Sequence, residues 1–191
     1  MITYALCSEA GMDAAYGAFQ IGFSDYIIKT ELTREQFVRR FFGPEGNRPE
    51  HSVVALDGET PVGLILGGLK VYEGIQTLRC GALCVHPAYR GTGVSRELFR
   101  RHKEIALENS CRQLFLEVIA GNDRAVNFYN RMGYEKVYDL AYFSHSAPAE
   151  IPVNLPDGFA IRHIGEDGLR TLFRKAQGVH INWQNDFDYI V

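Results

Sequence analysis

The chain has 191 residues, 46 % of them hydrophobic and 23 % charged, which excludes the low-hydrophobicity, high-charge composition of a disordered protein and leaves room for one ordinary domain plus a remnant. Twenty Lys and Arg against 23 Asp and Glu leave a net charge of -3, so no global electrostatic drive toward nucleic acid or anionic lipid exists. No run approaches the roughly 20 apolar residues of a membrane span, and the first residues lack a secretory pattern, so a soluble cytoplasmic protein is expected.

Residues 3–8 read as a short strand. Residues 12–23 follow with Ala15, Phe19, Gly22 and Phe23 at helical spacing. Thr33 and Gln36 form a capping box ahead of a second helix whose apolar face is Phe37, Val38, Phe41 and Phe42. Residues 43–50 hold two of the seven prolines and read as a loop. From residue 51 the period changes to that of strands, over 51–56 and 61–72, joined at Asp57-Gly58-Glu59-Thr60; Asp-Gly between apolar runs signals a hairpin.

A third run, 76–85, is stopped by His86-Pro87. Beyond a turn over 89–93, Val94, Leu98, His102, Ile105 and Ala106 set the apolar stripe of a helix over 94–109. Residues 114–118 read as a buried strand. Residues 122–132 form a helix with Ala125, Phe128, Tyr129 and Met132 on one face, closed by Gly133. A strand pattern returns over 134–144 with Tyr134, Val137, Leu140 and Tyr142, and a proline-bearing linker follows over 145–158. From 159 the chain shows an alternating stretch, 160–164, then a helix over 166–177, then Trp183, Phe187 and Tyr189.

The four cysteines, Cys7, Cys80, Cys84 and Cys111, contain no C-x-x-C pair and no His at zinc-finger spacing, so no metal site and no disulfide is expected. Cys80 and Cys84 read as small residues of a central strand, with no His spaced to activate either thiol. His86 reads as a loop residue rather than a ligand.

The segment from Leu83 to Arg96 carries the chemistry. A strand ends at Pro87, the chain turns through Gly91 and Gly93, and a helix begins near Val94; unpaired amides and the helix dipole at such a start form an anion site that glycines let a phosphate approach. Five cations (Arg90, Arg96, Arg100, Arg101, Lys103) stand there against one acid, Glu97. There is no G-x-x-x-x-G-K-[ST] and no G-x-G-x-x-G, so neither a P-loop nor a dinucleotide motif is present.

Val85-His-Pro-Ala-Tyr-Arg-Gly-Thr-Gly-Val-Ser95 resembles the acetyl-CoA motif of the GCN5-related N-acetyltransferases (GNAT), and Leu116-Glu-Val with Asn122-Asp-Arg-Ala-Val-Asn-Phe-Tyr129 and Gly133-Tyr134 resembles that family's second half. Ser95 stands where the family usually has Gly or Ala. The resemblance covers about residues 2–144 and implies an α/β (α+β) fold, a mixed, mostly antiparallel sheet flanked by helices. It implies direct transfer of acetyl from acetyl-CoA, without a metal, to a small-molecule or peptide amine. On this resemblance the main chain of Leu83, Cys84 and Val85 would pair with the pantetheine arm, the amides of Gly91, Thr92, Gly93, Val94, Ser95 and Arg96 would cradle the pyrophosphate, and Arg90 would belong to the same cofactor site. By the same resemblance Asn122 would hold the pantetheine or its strand end, and Tyr129 matches the tyrosine that protonates the leaving thiolate in the family; outside the motif, Phe128-Tyr129 on a helix reads as core. For the base, Glu117, Glu73 and a water chain all remain open.

A different class of function is a catalytically silent CoA-binding or ligand-sensing module. Neither nucleic acid nor membrane is expected as a partner, and a homodimer is left open. The expected domains are 1–144 as the acetyltransferase unit, 145–158 as linker, and 159–191 as either the start of a second, incomplete unit of a longer natural protein or a docking segment whose 160–164 adds a seventh strand.

Overall fold

The computed structural model describes residues 1–29, 31–142, 156–175 and 180–186. They fall into two units, Met1–Met132 and Gly133–Val191.

The first unit is built on a five-stranded sheet in sequential order: β1 (Ile2–Leu6), β2 (Asn47–Asp57), β3 (Thr60–Tyr72), β4 (Ile75–Val85) and β5 (Gln113–Leu116). The first four pair antiparallel and β5 runs parallel to β4, because the connection from β4 is a crossover helix rather than a hairpin. Between β2 and β3 the ladder closes at Asp57 and Thr60, and Gly58 takes a φ of 61°, the left-handed geometry that Asp-Gly supplies at little steric cost.

Helices cover both faces. On one lie α1 (Cys7–Ala10), α2 (Met12–Gly22) and α3 (Arg34–Phe41), whose Phe19, Phe37 and Phe41 pack with Val54, Leu64 and Leu66 of the sheet. On the other lies α4 (Val94–Glu108). A methyl group at Gly63 would meet Leu98 and Val94 at 3.0 Å, which places α4 on the face opposite Leu64. Burial from both sides explains the uninterrupted apolar run of β3. Thr33 caps α3 as its sequence implies: its Oγ1 accepts from the Gln36 amide at 3.2 Å, and the Gln36 side chain accepts from the Thr33 amide at 2.8 Å.

Four expectations change. The chain enters α1 directly after β1, and β2 begins at Asn47, inside the stretch read as a loop. Residues 134–142 form no strand, and Val137 stands 69 % exposed. Residues 160–164 likewise form none, with Ile161 73 % exposed. Alternation marks which face of a strand would be apolar, but a strand exists only where a neighbour supplies a hydrogen-bonded edge, and neither segment has a ladder partner among the described residues. The seventh-strand reading of 160–164 is therefore not what the sheet shows.

The expected helix that follows is α6 (Glu166–Lys175), with an Arg170–Glu166 ion pair at 2.8 Å. Residues 143–155, 176–179 and 187–191 lie outside the described residues, and with them most of the expected linker, the end of that helix, and Phe187 and Tyr189. No helix among the described residues is long and apolar enough to cross a membrane.

Candidate active site

The site begins with an irregularity in β4. Leu66 pairs with Ala82 and Gly67 with Cys80, so Gly81 is an extra residue, a bulge. The parallel pairing of β4 with β5 runs from Thr77 opposite Gln113 to Cys80 opposite Leu116 and ends there. Beyond Cys80, β4 continues against β3 to Val85, so its other edge, from Gly81 onward, faces an opening instead of a strand. An extended ligand can pair with such an edge.

At the end of β4 the chain turns through a 3₁₀ turn, Pro87–Tyr89, into α4. His86 belongs to this turn, its Nδ1 accepting from the Ala88 amide at 3.0 Å. Gly93 is the N-cap of α4, with φ 99° and no side chain to cap the helix. The first intrahelical bond runs from the Glu97 amide to the Gly93 carbonyl at 3.0 Å, so the amides of Val94, Ser95 and Arg96 have no intrahelical acceptor. A bare helix start next to an unpaired strand edge suits a ligand with an anionic head and an amide-bearing arm.

A cavity of about 690 Å3 lies along this edge. Leu83, Cys84, Val85, Arg90, Gly91, Thr92, Gly93, Ser95, Arg96, Asn122 and Tyr129 all line it. The other site candidates, Val94, Glu117 and Glu73, do not. Val94 is buried against the sheet, which leaves only its main chain on the ligand side. Glu117 lies just past the end of β5, and its Oε2 accepts from Arg79 Nη2 at 3.1 Å. Arg79 is almost fully buried and also reaches the Glu45 carboxylate at 3.8 Å. Glu73 sits in the turn between β3 and β4, at the opposite end of β4 from Val85.

The cations of the motif are mostly committed. Arg90 Nη2 and Nη1 donate to Asp25 at 2.6 and 2.5 Å, while Nη2 also reaches the Gly22 carbonyl and Nε the Val85 carbonyl. This guanidinium holds the Asp25 carboxyl down at about 2. Arg100 pairs with Glu97 and Glu104, Arg101 with Glu97, and Lys103 donates to the Met132 carbonyl. Arg96 is the member of the five with no hydrogen bond or ion pair among the described residues.

Helix α5 (Asp123–Arg131) forms the far wall. Asn122 caps it, its Oδ1 accepting from the Ala125 amide at 3.2 Å, while its Nδ2 donates to the Tyr26 hydroxyl at 3.3 Å. Tyr129 interacts with Cys80 and works against the rise of its thiol. Burial pushes the Cys80 thiol up to about 12 and raises that of Cys84 as well; both remain neutral thiols and poor nucleophiles at neutral pH.

Two groups of lining residues were not singled out from the sequence as part of the site. The segment after α2 brings Asp25, Tyr26 and Ile27 to the cavity, and α5 brings Arg124, Phe128 and Arg131. The second group had a readable signal, since Arg124, Phe128 and Arg131 stand at i, i+4 and i+7. The first had none, because its partners Arg90 and Asn122 lie 65 and 96 residues away.

Comparison with known proteins points the same way. The family model described as "Acetyltransferase (GNAT) family" matches residues 15–134. N-alpha-acetyltransferase 30 of Schizosaccharomyces pombe is 30 % identical over 119 residues, 59 % of this chain and 77 % of its own length. Among solved structures, a chain of the NatC complex bound to Gag peptide and CoA superposes with a TM-score of 0.59 at 21 % identity, covering 72 % of this chain and 86 % of that one. An aminoglycoside acetyltransferase from an uncultured soil metagenomic sample, in complex with sisomicin, gives 0.56 at 12 % identity, with 78 % and 96 % covered. At these identities the two structures speak for the fold.

Proposed function

The chain belongs to the acetyltransferase (GNAT) family and is an acyltransferase, and on that premise we propose that it transfers the acetyl group of acetyl-CoA directly to the amine of a small molecule or peptide. The observation that carries the reading is the continuity of one cavity from the unpaired edge of β4 to the uncapped start of α4. Acetyl-CoA fits these residues: its pantetheine amides match the main chain of Leu83 to Val85, and its pyrophosphate matches the amides of Gly91 to Arg96. Bound there, it supplies an activated acetyl carbonyl.

The chain's own residues then have three tasks. The strand edge and the amides at the start of α4 fix the donor so that an incoming amine meets the carbonyl carbon. As the C–N bond forms and the C–S bond breaks, the Tyr129 hydroxyl, in the cavity wall, gives its proton to the leaving sulfur. The amine's own proton leaves through water and restores the tyrosine; Glu117, tied to Arg79 and outside the lining, makes no direct contact with the amine. Peptide and aminoglycoside acceptors are both reasonable amines to test, since relatives of similar fold are bound to each.

The test is release of free thiol from acetyl-CoA with a panel of peptide N-termini and aminoglycosides, beside calorimetry with CoA. Thiol release dependent on an amine is expected, and loss of CoA binding in Gly93→Glu, which sets a carboxylate into the amide cradle. A wild-type protein that binds CoA but acetylates no amine would overturn the transfer reading; Gly93→Glu with unchanged affinity would reduce the loop to a turn.

A further inference from the structure

We propose that Arg79 and Glu117 are positioning residues for the acyl transfer: their buried ion pair ties β5 to β4 at the point where the two strands part, and so fixes the helix that presents the Tyr129 hydroxyl. The inference rests on the proposed function and deepens it.

β5 is held to β4 through a short parallel ladder whose last pairs are Arg79 with Phe115 and Cys80 with Leu116, and the ladder ends where β4 bulges at Gly81. Glu117 is the first residue beyond it. Side chains two apart in a strand share a face, so Glu117 lies on the side of the sheet to which Phe115 and its partner Arg79 point. There Arg79 Nη2 donates to Glu117 Oε2 at 3.1 Å, with the two side chains 4 % and 15 % exposed. Parting such a pair leaves a buried charge uncompensated, which resists any fraying of β5 from its open end. The other arm of the guanidinium reaches the turn that precedes β2. Its Nη1 donates to the Glu45 carbonyl at 3.4 Å and lies 3.8 Å from the Glu45 carboxylate, which accepts from Arg40 Nε of α3 at 3.0 Å. Arg79 is therefore anchored independently of the strand it restrains.

Glu117 also stands at the root of the cavity wall. Five residues after it, Asn122 caps α5, and Tyr129 follows about two turns along that helix. α5 contributes no buried residue, so its placement depends on a few attachments rather than on a packed face. These include the Asn122 bond to Tyr26, the Lys103 bond to the Met132 carbonyl, an edge-to-face contact of Phe128 with Phe99, and the chain that enters from β5. Tyr129 interacts with Cys80, the last β4 residue paired with β5. The ion pair and the tyrosine thus act on adjacent residues of one strand, from opposite faces. A shift of about 1 Å at the root is enough to cost a positioned proton donor much of its rate.

The experiment follows thiol release from acetyl-CoA with whichever amine of the peptide and aminoglycoside panel the wild type acetylates fastest. The proteins are wild type, Glu117→Gln, Arg79→Lys, and each of these in a Tyr129→Phe background, with circular dichroism to show folding and hydrogen exchange of the amides of 117–132. Glu117→Gln keeps the shape and removes the charge; Arg79→Lys keeps the charge and removes the fork. Each should lower kcat by about tenfold or more with the KM for acetyl-CoA within about threefold, and speed exchange in 117–132 while α4 keeps its protection. In the Tyr129→Phe background the same changes should cost no more than about twofold, because the hydroxyl they position is gone. A proton-accepting Glu117, or a generally loosened fold, would cost the same factor in both backgrounds. Equal factors in the two backgrounds, unchanged kcat, unchanged exchange over 117–132, or loss of fold in both single variants each overturn the clamp with the transfer reading intact. A wild type that acetylates no amine of the panel overturns the proposed function instead, and the exchange of 117–132 then still decides whether the pair holds α5.

Discussion

The bulge at Gly81 makes a quantitative prediction about the opening of the site. A Cβ at Gly81 would lie 2.7 Å from Asn47 Cγ and 2.8 Å from its Nδ2, and closer still to its Oδ1. Asn47 is fully buried, and its Nδ2 donates to the Phe41 carbonyl at 2.8 Å, so the side chain has no room to swing away. Gly81→Ala should therefore either overpack the site, at about 1–3 kcal/mol, or displace Asn47 and leave the Phe41 carbonyl unsatisfied, again at about 1–3 kcal/mol. Either cost outweighs the gain of about 0.4–1 kcal/mol that a tolerated Gly→Ala change brings through the unfolded chain. The three atoms nearest the new methyl all belong to the Asn47 side chain. Asn47→Ala removes all of them, so in the double variant the methyl enters the space the amide leaves. Urea denaturation of the four proteins should show Gly81→Ala destabilised by about 1–3 kcal/mol, with a favourable coupling of 1 kcal/mol or more between the two sites. Additivity within about 0.5 kcal/mol, or a Gly81→Ala protein as stable as wild type, would refute the idea that Gly81 is required by a close approach where β4 leaves β5.

Two further outcomes follow from the site and the core. Tyr129→Phe should hold CoA affinity within a few-fold and lower turnover by on the order of 10²-fold, because the ring packing survives and the proton does not; unchanged turnover with chemistry shown to be rate-limiting would return Tyr129 to a packing role. His102 is fully buried on α4, with neither ring nitrogen partnered among the described residues, and burial, with His51 nearby, holds it down at about 3. Below its ordinary value near 6.5 the unfolded chain takes up a proton that the native protein refuses, so stability should fall as pH drops from 6.5 toward 3, by about 2 kcal/mol between pH 7 and pH 5. His51, also lowered by burial, adds in the same direction, whereas Asp25 contributes only as pH falls from about 4 toward 2. Urea midpoints at pH 7 and 5 for wild type and His102→Leu check this, and an equal slope in the two proteins would contradict it.

Local chemistry was legible in the sequence wherever one short segment contains both partners of an interaction. Thr33 with Gln36, the turn from Asp57 to Thr60, and the glycine-bearing start of α4 are all of this kind, and the structure holds each of them. A strand is different, since half of what stabilises it belongs to a neighbour, and alternation alone misled over 134–142 and 160–164. The bulge was hidden for a related reason. Gly81 reads as one more small residue in a small-residue strand; only the slip between the Leu66–Ala82 and Gly67–Cys80 pairs shows that it ends the contact with β5.

Arg90 shows what a charge count from sequence leaves out. As the first basic residue of the loop, beside two glycines, it has the spacing of a phosphate ligand. Its guanidinium is nevertheless spent on Asp25 and on the Gly22 and Val85 carbonyls, ties that fasten the end of α2 to the end of β4. The pairing is reasonable energetically, because those carbonyls terminate their elements and would otherwise face the cavity mouth without a donor. Arg90 is thus held in the wall by protein groups, and the proposed cradle would draw on main-chain amides that no charge count reveals. On α5, Arg124 and Arg131 share the helix with one acid, Asp123. Asp123 sits in the first turn, where its carboxylate is favoured by the helix dipole. Along α4, Arg100 and Arg101 are neutralised by Glu97 and Glu104, Lys103 donates to the Met132 carbonyl, and Arg96 makes no hydrogen bond or ion pair among the described residues.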